Sequence, residues 1–172
     1  MKGKRSTSTR KGTPSSKIKS GATTKNSKII KASPETLYQA LTDPKALAVW
    51  LAPDEMTAKV HRFNLKVGGG YTMSLFYPES KKESRGKTTE NEDRYTSRFV
   101  ELTPFKKIIQ AITFDSENPD FAGEMIMEVT FEPKGSATKV MFVFKNIPPG
   151  IRPEDNKAGT RSTLKKLASF VE

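Results

Sequence analysis

The chain has 172 residues, a formal net charge of +11 and 34% hydrophobic residues, which allows one folded domain plus a polar tail. It contains no cysteine and one histidine, so disulfides, thiol catalysis, cysteine-ligated metals and histidine-based metal sites or triads have almost no material. No apolar run approaches the roughly 20 residues of a membrane-spanning helix.

The charge is unevenly placed. Residues 1–28 hold Lys2, Lys4, Arg5, Arg10, Lys11, Lys17, Lys19, Lys25 and Lys28 and no acid, which leaves only +2 for the rest of the chain. Ser, Thr and Gly dominate this segment, and Ile18 is its only large aliphatic residue between Met1 and Ile29. It cannot bury enough surface to offset chain entropy and is read as disordered. The expected division is a disordered basic tail over 1–25 and a folded domain over 26–172. The tail also lacks the apolar core of a secretory signal and the apolar face of a transit helix, so a cytoplasmic location is expected. A flexible polycation makes weak, salt-sensitive contacts with nucleic acid or an anionic surface without reading sequence.

Residues 27–32 are a short strand candidate that runs into a helix start. Ser33 is a good N-cap and Pro34 suits the first helical position. Leu37, Ala40 and Leu41 repeat at helical spacing, and Asp43-Pro44 ends that helix and begins a second, closed by the single tryptophan, Trp50. Residues 56–65 read as a strand with Ala58, Val60 and Arg62 on one side and His61, Phe63 and Leu65 on the other. Gly68, Gly69 and Gly70 open another strand, in which Tyr71, Met73, Leu75 and Tyr77 alternate with Thr72, Ser74 and Phe76. Residues 78–93 are polar and read as a long exposed connection.

A strand follows over 94–103, with Arg98 and Glu101 at opposite parity, so that at most one faces inward. Over 108–114, Ile108, Gln110, Ile112 and Phe114 share a face. An amide on that face needs a hydrogen-bond partner from protein, water or ligand. Asn118-Pro119-Asp120 is a turn. Met125, Met127, Val129 and Phe131 then alternate with Ile126, Glu128, Thr130 and Glu132. After a turn at 133–136, Val140, Phe142 and Phe144 share one face of a strand over 138–145. At the end the period changes: from Thr160 or Arg161 onward, Leu164, Leu167, Ala168 and Val171 fall at i, i+3, i+4 and i+7. Short turns between the later strands favour an antiparallel meander, and one amphipathic helix must cover a face of it, giving an α+β domain.

This order resembles the START-like superfamily (SRPBCC, the helix-grip fold), and within it the branch named after the activator of the ninety-kilodalton heat-shock protein ATPase. The resemblance covers 26–172 and rests on three motifs. Ala40-Leu41-Thr42-Asp43-Pro44 with Trp50-Leu51 matches the family's opening helix end and tryptophan. Asn64-Leu65-Lys66-Val67-Gly68-Gly69 stands where the family has Asp-x-Arg-x-Gly-Gly. Glu101-Leu102-Thr103-Pro104 matches its Glu-x-x-Pro. The family's C-terminal helix usually opens with Gly-Trp; here the pair is Gly159-Thr160, without the tryptophan.

The resemblance implies a curved antiparallel sheet of six or seven strands wrapped around a long C-terminal helix, with two short helices after the first strand. A space between sheet and helix is the usual geometry of a small-molecule site, and superfamily members hold lipids, sterols, hormones or polyketides there. The pocket candidates from the first half of the chain are Trp50, Tyr71, Met73 and Leu75. Those from the second half are Gln110, Met125, Met127, Val129, Phe142 and Leu164. A packed core is the alternative, because periodicity reports burial and not a void.

Three functions stay open. The leading one is a non-catalytic domain binding a small apolar or amphipathic ligand. The second is a protein-interaction module with a protein partner, as the branch name suggests. The third is a cyclase, aromatase or hydrolase acting in the same cavity, which needs an acid or base within reach of substrate. Gln110, Tyr71, Tyr77 and whichever of Arg98 and Glu101 faces inward are the only candidates, and His61 has no second histidine nearby. No catalytic residue, metal ligand or cofactor is therefore assigned.

Overall fold

The computed structural model describes residues 21–52, 55–78 and 92–172. The elements in chain order are β1 (Ala22–Ile30), α1 (Pro34–Thr42), α2 (Pro44–Trp50), β2 (Thr57–Asn64), β3 (Gly70–Phe76) and β4 (Glu92–Thr103). They continue with β5 (Lys107–Phe114), a single 3₁₀ turn (Pro119–Phe121), β6 (Met125–Lys134), β7 (Ala137–Ile147) and α3 (Pro153–Val171). The strands form one curved antiparallel sheet in the order β1-β7-β6-β5-β4-β3-β2, the helix-grip arrangement.

Local chemistry sets the helix pair. The Ser33 hydroxyl accepts from the Thr36 amide, the Asp43 carboxylate accepts from the Lys45 amide, and a proline follows each cap. These are the groups that satisfy otherwise orphaned N–H donors at a helix start. α1 buries Leu37, Tyr38, Ala40 and Leu41, and α2 buries Ala46, Leu47 and Trp50. The Trp50 indole donates to the Ala40 carbonyl at 2.9 Å, which ties the two short helices together.

Five details differ from the sequence expectation. β1 begins at Ala22, so residues 22–28 belong to the sheet and the domain starts before residue 26. As an edge strand it is held by its ladder to β7, from Ala22↔Ile147 to Ile30↔Thr138, and needs little apolar alternation. Residues 1–20, which carry most of the basic tail, lie outside the described residues. In β2, a bulge at Arg62 (φ 45°) shifts the register between His61 and Phe63. Val60 and Phe63, expected on opposite sides, therefore both pack against the core, as an extra residue in a strand requires.

A second bulge, between Phe99 and Glu101, resets the parity of β4. Tyr95, Ser97 and Phe99 face inward, while Arg98 pairs with Glu124 at 3.1 Å on the outer face. Glu101, partly exposed, accepts from Thr103 at 2.7 Å. Within the connection expected over 78–93, residues 79–91 lie outside the described residues. Asp93 at its end is buried in β4 and accepts from the Tyr77 hydroxyl at 3.0 Å. Finally, α3 begins at Pro153, about two turns before the expected Thr160.

Gly70 has a steric duty. Its φ is 151°, and a Cβ there would sit 1.8 Å from the Ser97 carbonyl oxygen. Only glycine lets β3 enter the sheet this close to β4. The Gly68 amide donates to Phe99 O at 2.8 Å, and the Phe99 amide donates to Gly69 O at 2.9 Å, so the glycine turn is stitched to the strand that carries Ser97.

Candidate functional site

Between the sheet and the N-terminal half of α3 lies a cavity of about 240 Å³. Leu75, Tyr95, Phe114, Met125, Met127 and Phe142 form most of its sheet wall, with Ile112 and Phe144 completing it. The helix wall is Asn156, Gly159, Thr160 and Thr163, and Leu51, Ile151 and Asp155 lie at its rim. The void has a local cause. Nothing stands within 4 Å of where a Gly159 Cβ would be, and the next residue, where the family usually carries tryptophan, is a threonine.

Behind the sheet wall runs a buried polar chain. Gln110 Oε1 accepts from the Tyr71 hydroxyl at 3.2 Å and from the Ser97 hydroxyl at 2.7 Å. The inward amide flagged by the sequence thus has partners within the protein. Burial pushes the Tyr71 hydroxyl up to about 12, although hydrogen bonds with Ser97, Gln110 and Tyr95 partly oppose it. Tyr95 is raised well above the ordinary tyrosine value, first by burial and then by Tyr71. Both phenols therefore stay protonated at neutral pH and act as neutral hydrogen-bonding groups.

Of the ten pocket candidates, Leu75, Met125, Met127 and Phe142 line the cavity. Tyr71 and Gln110 sit one layer deeper in the polar chain, and Tyr71 stacks on Phe63 at 5.6 Å. Met73, Val129 and Leu164 are packed core residues, each at most 2% exposed. Trp50 lies on the other side of α3, at an open groove between α2 and α3. Sequence reasoning missed Tyr95, which shares its face with Ser97 and Phe99. It also missed Asn156, Gly159, Thr160 and Thr163, because a polar helix face gives no apolar period to find.

On the outer face of the sheet a second cluster has the residue types of a hydrolase but not the logic. Ser74, fully buried, lies 2.6 Å from a Glu92 carboxylate oxygen and 3.0 Å from His61 Nε2. An ionised carboxylate can only accept, so the serine proton points at Glu92 and His61 donates to the serine oxygen. His61 is then no base for Ser74, and the cluster ties β2, β3 and β4 together. Among the described residues no group of His, Cys, Asp and Glu could hold a metal ion. No described helix is long and apolar enough to cross a membrane.

Comparison with known proteins agrees with this architecture. Residues 31–172 match the family model described as Activator of Hsp90 ATPase homolog 1-like protein. The crystal structure of CV1439 from Chromobacterium violaceum is 31% identical, with a TM-score of 0.77 over 87% of this chain and 96% of that one. NE0264 from Nitrosomonas europaea shares the fold at 18% identity, with a TM-score of 0.67 over 86% and 92% of the two chains. A solution structure from Staphylococcus epidermidis does so at 16% identity, with a TM-score of 0.67 over 89% and 91%. No curated protein matches the sequence. With the family model spanning nearly the whole described domain, the chain belongs to the Activator of Hsp90 ATPase homolog 1-like family.

Proposed function

We propose that this domain is a non-catalytic binding module for a small apolar or amphipathic ligand held between the sheet and α3. The observation that carries the reading is the Gly159-Thr160 step, beside which about 240 Å³ stands open between the sheet and α3. For scale, an apolar cavity of about 150 Å³ takes benzene, and drug-sized sites begin near roughly 300 Å³. The space suits a molecule of one or two rings and is too small for a sterol. A catalytic role finds little support in the lining, whose only ionisable groups among the described residues are Tyr95, held protonated, and Asp155 at the rim.

Native mass spectrometry of the protein purified from its own host tests the reading. The expected result is a bound small molecule at one to one that is absent from a Thr160→Trp variant. Ligand-free protein that also fails to take up an apolar dye would overturn it. A protein-contact role has its own support in the open groove between α2 and α3. Val49 is 64% and Phe170 43% exposed there, beside Arg161 and Lys165. The nucleic-acid contact expected of the basic residues rests on their charge alone.

A further inference from the structure

Thirty of the chain's residues are Lys or Arg, yet among the described residues none lines the cavity, whose one charged residue there is Asp155. The carboxylate of Asp155 is exposed and makes no hydrogen bond or ion pair among the described residues. Its neighbour Glu154 is engaged by Arg152 at 3.7 Å.

The neutral groups of the wall point the same way. The Thr160 hydroxyl lies 2.7 Å from the Asn156 carbonyl, and the Thr163 hydroxyl 2.9 Å from the Gly159 carbonyl. A carbonyl oxygen can only accept, so both threonine protons are committed to the helix backbone. Each threonine keeps only lone pairs for the cavity. Asn156, whose Oδ1 accepts from Thr24, contributes the one side-chain N–H donor among the described lining residues.

From this we infer that the cavity selects a compact aromatic amine, bound as its ammonium, and rejects carboxylates. The inference rests on the cavity reading and adds to it the charge class of the ligand. The ring would lie among Tyr95, Phe114, Phe142 and Phe144, whose π faces also favour a cation. The ammonium would take the lone pairs of Thr160 and Thr163 and the field of Asp155. A carboxylate would meet acceptors on three sides, with no cation among the described lining residues to offset its desolvation. The N-terminus of α3 favours anions, but its dipole amounts to about half a charge. Asp155 alone more than cancels it, since Glu154 and Arg152 neutralise each other.

A matched series on one ring tests this with the full chain. Naphthalene carrying an aminomethyl, a hydroxymethyl or a carboxylate group is titrated by calorimetry into the native protein, Asp155→Asn and Thr160→Trp. The expected order is ammonium tightest, alcohol next, and carboxylate weaker than the ammonium by roughly tenfold or more. Asp155→Asn should weaken the ammonium about three- to fivefold, the size of one exposed ion pair, and leave the alcohol unchanged. Thr160→Trp should remove all three. A carboxylate that binds as well as the ammonium, or an ammonium indifferent to Asp155→Asn, overturns the charge inference and leaves the cavity reading standing. Failure of all three ligands, or ammonium binding that survives Thr160→Trp, overturns it by removing the site itself.

Discussion

Along α3, one half closes the core and the other leaves it open. The C-terminal half buries Leu164, Leu167 and Ala168 to 5% exposure or less, in one cluster with Leu37, Leu41 and Trp50 of the helix pair. The N-terminal half presents Asn156, Gly159, Thr160 and Thr163 to the cavity. The sheet residues lining the cavity, Tyr95, Phe114, Phe142 and Phe144 among them, are bulky. The void is therefore a property of the helix sequence. Apolar side chains at i, i+3 and i+4 anchor the helix at one end, and small polar ones at the other keep it off the sheet without unpaired groups, because their protons return to the helix backbone.

The largest expected effect breaks the closed half. Leu164→Asp places a carboxylate in a fully packed position with no partner, a change in the class that costs more than about 4 kcal/mol. It should abolish near-ultraviolet circular dichroism and cooperative unfolding. A soluble Leu164→Asp variant with a native spectrum would show that α3 does not close the core.

A smaller effect belongs to the polar chain behind the cavity. Burial pushes the Tyr71 hydroxyl up to about 12 from the ordinary tyrosine value of 10.0, so the native state holds that proton more tightly than the unfolded chain. Its contribution is fully present below pH 10 and is lost as pH rises from 10 through 12. The slope is at most about 1.4 kcal/mol per pH unit for each such group. Tyr95, also raised, acts in the same direction. In an alkaline titration, phenolate absorbance of these two should therefore appear together with loss of tertiary ellipticity. Titration of all four tyrosines near pH 10 with the fold intact would contradict the network.

The smallest effect sharpens the comparison from the open side. Gly159 is a mid-helix glycine with free space at its Cβ position. Gly159→Ala should stabilise the protein by about 0.5–1 kcal/mol in chemical denaturation, through helix propensity and reduced unfolded-state entropy. Destabilisation would mean that the space around Gly159 is filled.

Much of this frame is legible in the residues. Ser33 with Pro34, Asp43 with Pro44, the alternation from Met125 to Phe131 and the Leu164-Leu167-Ala168 stripe each name an element because a local rule and the global packing agree. The bulges at Arg62 and Val100 are not legible, since an inserted residue leaves the composition of a strand unchanged and only its parity moves. The start of α3 is hidden for a related reason. Residues 153–160 face a cavity or solvent, so the helix runs there without an apolar stripe, and Gly159 reads as a boundary. The candidate site shares that difficulty: Gln110 announces a buried polar position, whereas a void has no residue of its own.

Ligand binding in this domain requires that Gly159-Thr160 open a space able to accept a small molecule. Calorimetric titration of naphthalene methanol into the native protein and into Thr160→Trp measures it directly. The expected result is saturable one-to-one binding to the native chain and none to the variant, which should unfold at an equal or higher denaturant concentration because filling a void is not overpacking. Equal binding to both proteins would contradict it. So would no binding to either, with the tryptophan variant destabilised by the roughly 1–3 kcal/mol of an overpacked core.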